Sequence, residues 1–141
     1  MNPQLALDDE LRRLVEKRMQ QTLEGIEDTL GRILEHQELN SKDLTTVIQS
    51  LETSFALLSQ KWTLEILYTL FLKTNFGFSG LKKTLSVNSR TLSDKLKTLK
   101  EHGYIERNVE AGPPLKVKYS LTTKGKNTVL LALPLLYYSA A

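Results

Sequence analysis

Between Leu81 and Leu121 the spacing of apolar residues changes from three or four to two, and Gly103 stands at the change. Leu81 and Leu85 share one face of a short helix that ends near Ser86, and Leu92, Leu96 and Leu99 share one face of a second, capped helix over residues 89–102. Only Val87 and Asn88 lie between them, so the turn is tight. Gly103 follows directly, in the position where a left-handed residue ends a helix. Residues 104–109 and 115–121 then read as strands, the second alternating Leu115, Val117, Tyr119 and Leu121 with Lys116, Lys118 and Ser120. The glycine and two prolines at 112–114 make the turn between them. The outline is a helix-turn-helix followed by a β-hairpin with a basic outer face, which predicts a mainly α fold with a small β-hairpin, a winged helix-turn-helix.

The rest of the chain is helical in pattern. Leu7, Leu11, Leu14, Val15, Met19, Leu23, Ile26, Leu30, Ile33 and Leu34 recur three or four apart, which predicts one long amphipathic helix. About 35 residues would span roughly 50 Å, more than a small domain needs to cover its own core. Leu23, Ile26, Leu30 and Ile33 alternate three and four in coiled-coil fashion, so residues 1–40 are expected to dimerise. Gly25 and Gly31 weaken that helix, and folding back onto its own domain remains the alternative. Asn40 and Ser41 suit the cap of a second helix carrying Leu44, Val47, Ile48, Leu51, Phe55 and Leu58. Ser59 reads as a further cap or kink, after which Trp62, Leu64, Ile66, Leu67, Leu70 and Phe71 form the most apolar helix. Residues 76–79 read as a brief extended link with Gly77 and Gly80 as breakers. A last helix runs from about Thr123 towards Tyr138, kinked or ended near Pro134. The expected organisation is a dimerisation helix over 1–40, a winged domain over 41–125 and a C-terminal helix over 126–141 that adds a dimer contact.

Composition narrows the chemistry. The absence of cysteine from the 141 residues removes disulfides and thiol redox sensing, and His36 and His102 have no second ligand at metal spacing. No cofactor is therefore expected, and no enzymatic activity, since no glycine-rich phosphate loop or nucleophile and base pair stands out. The acidic start at Asp8, Asp9 and Glu10 is unlike a signal peptide, and Pro134 interrupts the longest apolar stretch, so a cytoplasmic protein without membrane contact is expected. Charge is divided unevenly. Residues 1–58 hold eleven acids against six bases, residues 59–141 five acids against thirteen bases. A basic module beside an acidic one points to a polyanion as partner of the basic part.

The outward face of the helix at 89–102 carries Arg90, Ser93, Asp94, Lys97, Thr98 and Glu101. With Ser89 and Thr91 its start offers the side chains that bond base edges and phosphates of double-stranded DNA, and Arg90 is the residue whose guanidinium can meet a guanine bidentately. Asp94 and Glu101 would repel phosphates unless they pair with Arg90 and Lys97 or select among bases. The hairpin adds Lys116 and Lys118 from one strand face and Arg107 from the neighbouring strand, and Lys82, Lys83, Lys95, Lys97 and Lys100 extend the basic set. Lys82, Lys83 and Lys95 are read as contacts to the DNA backbone. The alternatives are an ordinary solvated helix face and lysines that keep a strand edge from pairing.

Several strings resemble the HxlR-type winged helix regulators. They are Lys61, Trp62 and Thr63 with Ile66 and Leu67; Phe78, Ser79 and Leu81; Ser89-Arg90-Thr91-Leu92-Ser93 with Leu96 and Leu99; Gly103-Tyr104-Ile105-Glu106-Arg107; and Pro113, Pro114, Val117, Tyr119, Leu121, Thr122 and Gly125. The resemblance covers roughly residues 50–130 and implies a dimeric transcription regulator, its recognition helix in the major groove and its wing on the flanking backbone. Ser89, Arg90, Thr91 and Ser93 correspond to the start of that helix, and Arg107 to Lys118 to the wing. This chain departs from the pattern in having Ser59 and Gln60 where glycines usually precede the Lys-Trp pair, in lacking the cysteine that some relatives use to sense oxidants, and in its long N-terminal helix. Trp62, Tyr137 and Tyr138 could line a pocket for an unidentified small effector, although buried aromatics are more often plain core. A protein-interaction scaffold without specific DNA binding is the competing function.

Overall fold

The computed structural model describes residues 8–36, 41–73 and 76–139, and of residues 41 and 136–139 the backbone alone. The expectations placed on Leu7, on the capping side chains of Asn40 and Ser41, and on Tyr137 and Tyr138 lie outside the described residues. The chain divides into two units, Met1–Thr53 with Pro134–Ala141, and Ser54–Leu133.

In the first unit, α1 (Asp9–His36) is one uninterrupted helix, as the apolar spacing predicts. The Leu11 N–H donates to Asp8 Oδ1 at 2.8 Å, which caps it. None of its residues is buried, and Leu23, Ile26, Leu30 and Ile33 are each 38% to 54% exposed. The following helix, α2 (Ser41–Leu58), likewise leaves Leu44, Val47, Ile48, Leu51 and Phe55 exposed. Apolar surface left in water adds nothing to stability, and both stripes stand exposed.

The second unit holds the core. After α2 the chain turns through residues 59–62, where Trp62 takes a left-handed conformation (φ 76°) and occupies the N-cap of α3 (Thr63–Leu72). The break expected at Ser59 thus extends to Trp62, which precedes the apolar helix and does not belong to it. Thr63, Ile66, Leu67 and Leu70 are buried, the three-and-four spacing of one helix face. Two short elements follow, β1 (Phe76–Gly77) and α4 (Phe78–Leu85). Gly80 was expected to break structure but lies inside α4. A Cβ there would come within 2.7 Å of the Phe76 ring, so the glycine gives the ring room against the helix.

The next elements are α5 (Ser89–Glu101), β2 (Ile105–Glu110), β3 (Lys116–Leu121) and α6 (Thr123–Ser139). The strands form an antiparallel sheet in the order β1-β3-β2, so the expected hairpin is the larger part of a three-stranded sheet. Its third strand is the segment taken for a link: Phe76 pairs with Tyr119 and Gly77 with Lys118. Leu81, Leu92, Leu96, Leu99, Tyr104, Ile105 and Val129 close the core with the buried residues of α3. The last helix continues past Pro134 and does not end there, at the cost of one backbone hydrogen bond.

Candidate nucleic-acid interface

The candidate surface is built on α4, α5 and the β2–β3 ribbon. α4 ends at Ser86 in a left-handed conformation (φ 53°), and the Val87 N–H donates back to the Lys82 carbonyl at 3.3 Å. Two residues later the side chain of Asn88 accepts the Thr91 N–H at 2.8 Å, an N-cap that contributes about 1 kcal/mol to α5. At the other end the Gly103 N–H donates to the Lys100 carbonyl and the Tyr104 N–H to that of Leu99, with Gly103 at φ 78°. This pair of bonds closes the helix at the glycine singled out from the sequence.

Leu92, Leu96 and Leu99 bury their side of α5, and Ser89, Arg90, Ser93, Asp94 and Lys97 are exposed on the other, with Thr91 half-buried. Among the described residues nothing pairs with Arg90 or Lys97. The expected partnerships of Asp94 with Arg90 and of Glu101 with Lys97 are therefore not formed, and both signs of charge face water. Thr98 turns its hydroxyl to the Asp94 carbonyl at 3.0 Å and is half-buried.

The cations expected on the phosphate backbone fare differently. Lys82 and Lys83 are exposed on the last turn of α4. Lys95 is half-buried, and its ammonium donates to Gln60 Oε1 at 2.8 Å, tying α5 to the turn before α3. Gln60 thus has a role that its place in the sequence, 35 residues from Lys95, gave no sign of.

The strand register places the remaining cations. Arg107 is level with Tyr119, sharing a face with Ile105, Val109, Val117 and Leu121, whereas Lys116 and Lys118 lie level with Glu110 and Asn108 on the other face. The ribbon does not present Arg107, Lys116 and Lys118 together. Nor is its outer face simply basic, because Glu106 and Glu110 share it with the two lysines. Lys118 is drawn to 3.7 Å from Glu110, and the Asn108 amide donates to Ser120 Oγ at 3.0 Å. Such a partly exposed ion pair is worth about 1 kcal/mol or less, little enough for Lys118 to exchange partners.

The end of α5, the start of β2 and the start of α6 are fastened at one point. The Thr122 hydroxyl donates to the Gly103 carbonyl at 2.6 Å and accepts the Gly125 N–H at 3.0 Å, while the Thr122 N–H donates to the Tyr104 carbonyl at 3.1 Å. Lys124 adds a bond to the His102 carbonyl at 2.8 Å and lies over the Tyr104 ring. The position of α5 relative to the ribbon is thereby set by the Thr122 and Lys124 side chains on backbone groups and by one backbone bond. No described helix is long and apolar enough to cross a membrane.

Comparison with known proteins agrees with this geometry. The family model described as HxlR-like helix-turn-helix matches residues 57–136. YdzF of Bacillus subtilis, named as an uncharacterized HTH-type transcriptional regulator, is 34% identical over 77 residues, 54% of this chain and 71% of its own length. The HTH-type transcriptional regulator YodB of the same organism is 31% identical over 81 residues, covering 57% of this chain and 71% of YodB. The solved structure of reduced YodB superposes with a TM-score of 0.59 at 24% identity, over 72% of this chain and 92% of that one, a likeness of fold. The family match covers more than half of the chain, and this chain belongs to the HxlR-like helix-turn-helix family of transcriptional regulators.

Proposed function

We infer that this protein is a sequence-specific transcription regulator that binds double-stranded DNA as a homodimer, with α5 in the major groove and the β2–β3 ribbon along the flanking backbone. The observation that carries the reading is the outward face of α5. Its leucines are spent on the core, and its first turns hold Ser89, Arg90, Ser93, Asp94 and Lys97 exposed, beside Lys82 and Lys83 of α4. Arginine and small hydroxyl side chains at the start of a helix that fits the major groove are suited to reading base edges, and lysines on flanking elements to neutralising phosphates. Asp94 on the same face accepts hydrogen bonds and repels phosphates, so it favours selection among bases over general attraction. Thr91 at the helix start, Lys116 and Lys118 on the outer face of the ribbon, Arg107 on its other face, and Lys95 if it leaves Gln60, complete the contacts. Dimerisation is assigned to Leu23, Ile26, Leu30 and Ile33 of α1, with the exposed leucines of α6 as a further contact, and the acidic charge of residues 1–58 keeps that part away from DNA.

Selection of bound sites from random duplex, followed by the same selection with Arg90→Ala, tests the reading. The expected result is a two-fold symmetric consensus whose preference collapses at one base pair per half-site in the variant, a loss of about 1–3 kcal/mol there. A uniform loss across all sequences would make Arg90 a phosphate contact, and the absence of any consensus would remove sequence specificity from the assignment.

A further inference from the structure

The stripe on α1 lies outside residues 57–136 that the family model matches, so nothing in that match says what covers it. Leu11, Val15, Met19, Leu23, Ile26, Leu30, Ile33 and Leu34 fall within one sector of about 140° on the helix, and none is buried. Along one edge of the stripe Thr22, Gly25, Ile26, Thr29, Leu30 and Ile33 line an open groove, and a Cβ at Gly25 would meet nothing within 4 Å. The helix is also electrically lopsided. Residues 9–22 carry four bases against three acids, and residues 23–36 carry four acids against one base. Asp9 and Glu10 in the first turn suit the helix macrodipole, and Glu35 in the last turn runs against it, so the macrodipole alone does not account for this division of charge.

We propose that α1 is covered by α1 of a second copy running antiparallel to it. This rests on the reading of α1 as a dimerisation helix and adds its direction. Side-by-side pairing in the parallel sense sets the acidic half against the acidic half, whereas the antiparallel sense sets it against the basic half. Full overlap of two helices spanning Asp9–His36 brings each residue level with the one whose number completes the sum of the two end numbers. Leu11 then meets Leu34, Val15 meets Leu30, Met19 meets Ile26 and Leu23 sits next to the two-fold axis. The opposition is one of whole halves and not of paired side chains, since Lys17 and Asp28 lie on the side of the helix away from the stripe. The apolar stripe is thus self-complementary in the register that also opposes the charges.

The chain has no cysteine, so single cysteines report the pairing directly in the full-length protein. Under mild oxidation Leu23→Cys is expected to cross-link to itself and run as a dimer, at a yield independent of dilution above the dissociation range. Ile33→Cys alone is expected to give no dimer above the cysteine-free background, because the two residues would lie roughly 30 Å apart along the axis. Mixed with Arg12→Cys it is expected to cross-link. Self-linking of both Leu23→Cys and Ile33→Cys means parallel helices and overturns the proposal while leaving α1 as the dimer contact. No cross-link at Leu23 overturns the proposed pairing. All three positions are exposed, so these variants do not disturb a core.

Discussion

Replacing Gly125 with alanine is expected to destabilise the winged unit by roughly 3 kcal/mol, although glycine to alanine inside a helix ordinarily stabilises by about 1 kcal/mol. Gly125 is the third residue of α6, and its N–H is held by the Thr122 hydroxyl. A Cβ at this position would fall inside the carbonyl oxygen of Tyr104 and against the Leu121 side chain. That carbonyl cannot retreat freely, because it accepts the Thr122 N–H and leads directly into β2. The backbone of α6 or of the strand must therefore shift, breaking the fastening that joins both to the end of α5. For a unit of this size the thermal midpoint should fall by more than about 10 °C. A midpoint equal to or above that of the parent chain would mean that the close approach of α6 to Tyr104 is absent in solution.

The second large effect is expected at Leu92, whose side chain is fully buried between α5 and the core. Truncation to alanine removes three buried carbon atoms and leaves a cavity, at a cost of about 3 kcal/mol, visible as a lower urea midpoint with an unchanged slope. The same substitution should leave base preference intact when binding is measured where the variant is still folded, because Leu92 faces away from the exposed side of α5. Arg90→Ala should do the opposite, altering preference with little loss of stability, since the guanidinium is exposed and unpaired among the described residues. A Leu92→Ala protein that folds normally but changes its preferred sequence would mean that the helix is not held as described.

Local periodicity carried most of the fold. The leucines of α5, the end at Gly103, the unbroken course of α1 and the alternation of β3 all follow from side chains that repeat with the backbone, and such repeats are visible without knowing the partner surface. What was not legible depends on contacts between distant segments. Two residues of β1 are too few to show a period, and only their pairing with Tyr119 and Lys118 makes them a strand. Gly80 looks like a breaker until the Phe76 ring is seen against it. The same holds at the candidate interface. The helix face at Arg90 could be drawn on a wheel, but the faces of Arg107 and Lys118 depend on strand register, which a one-residue slip inverts. The hydrogen bond of Lys95 is to Gln60, which the chain brings back by tertiary folding alone.

The central claim is that the exposed side of α5, with the cations around it, meets duplex DNA. Fluorescence anisotropy of the full-length protein with a labelled random-sequence duplex, at about 50 mM and about 200 mM salt, tests it most directly. Binding at the lower salt that weakens steeply at the higher is the predicted result, and Lys118→Ala should flatten the dependence by about 0.9 in the slope of log affinity against log salt. No change in anisotropy even at the lower salt would contradict the account and leave the winged unit as a scaffold for another protein.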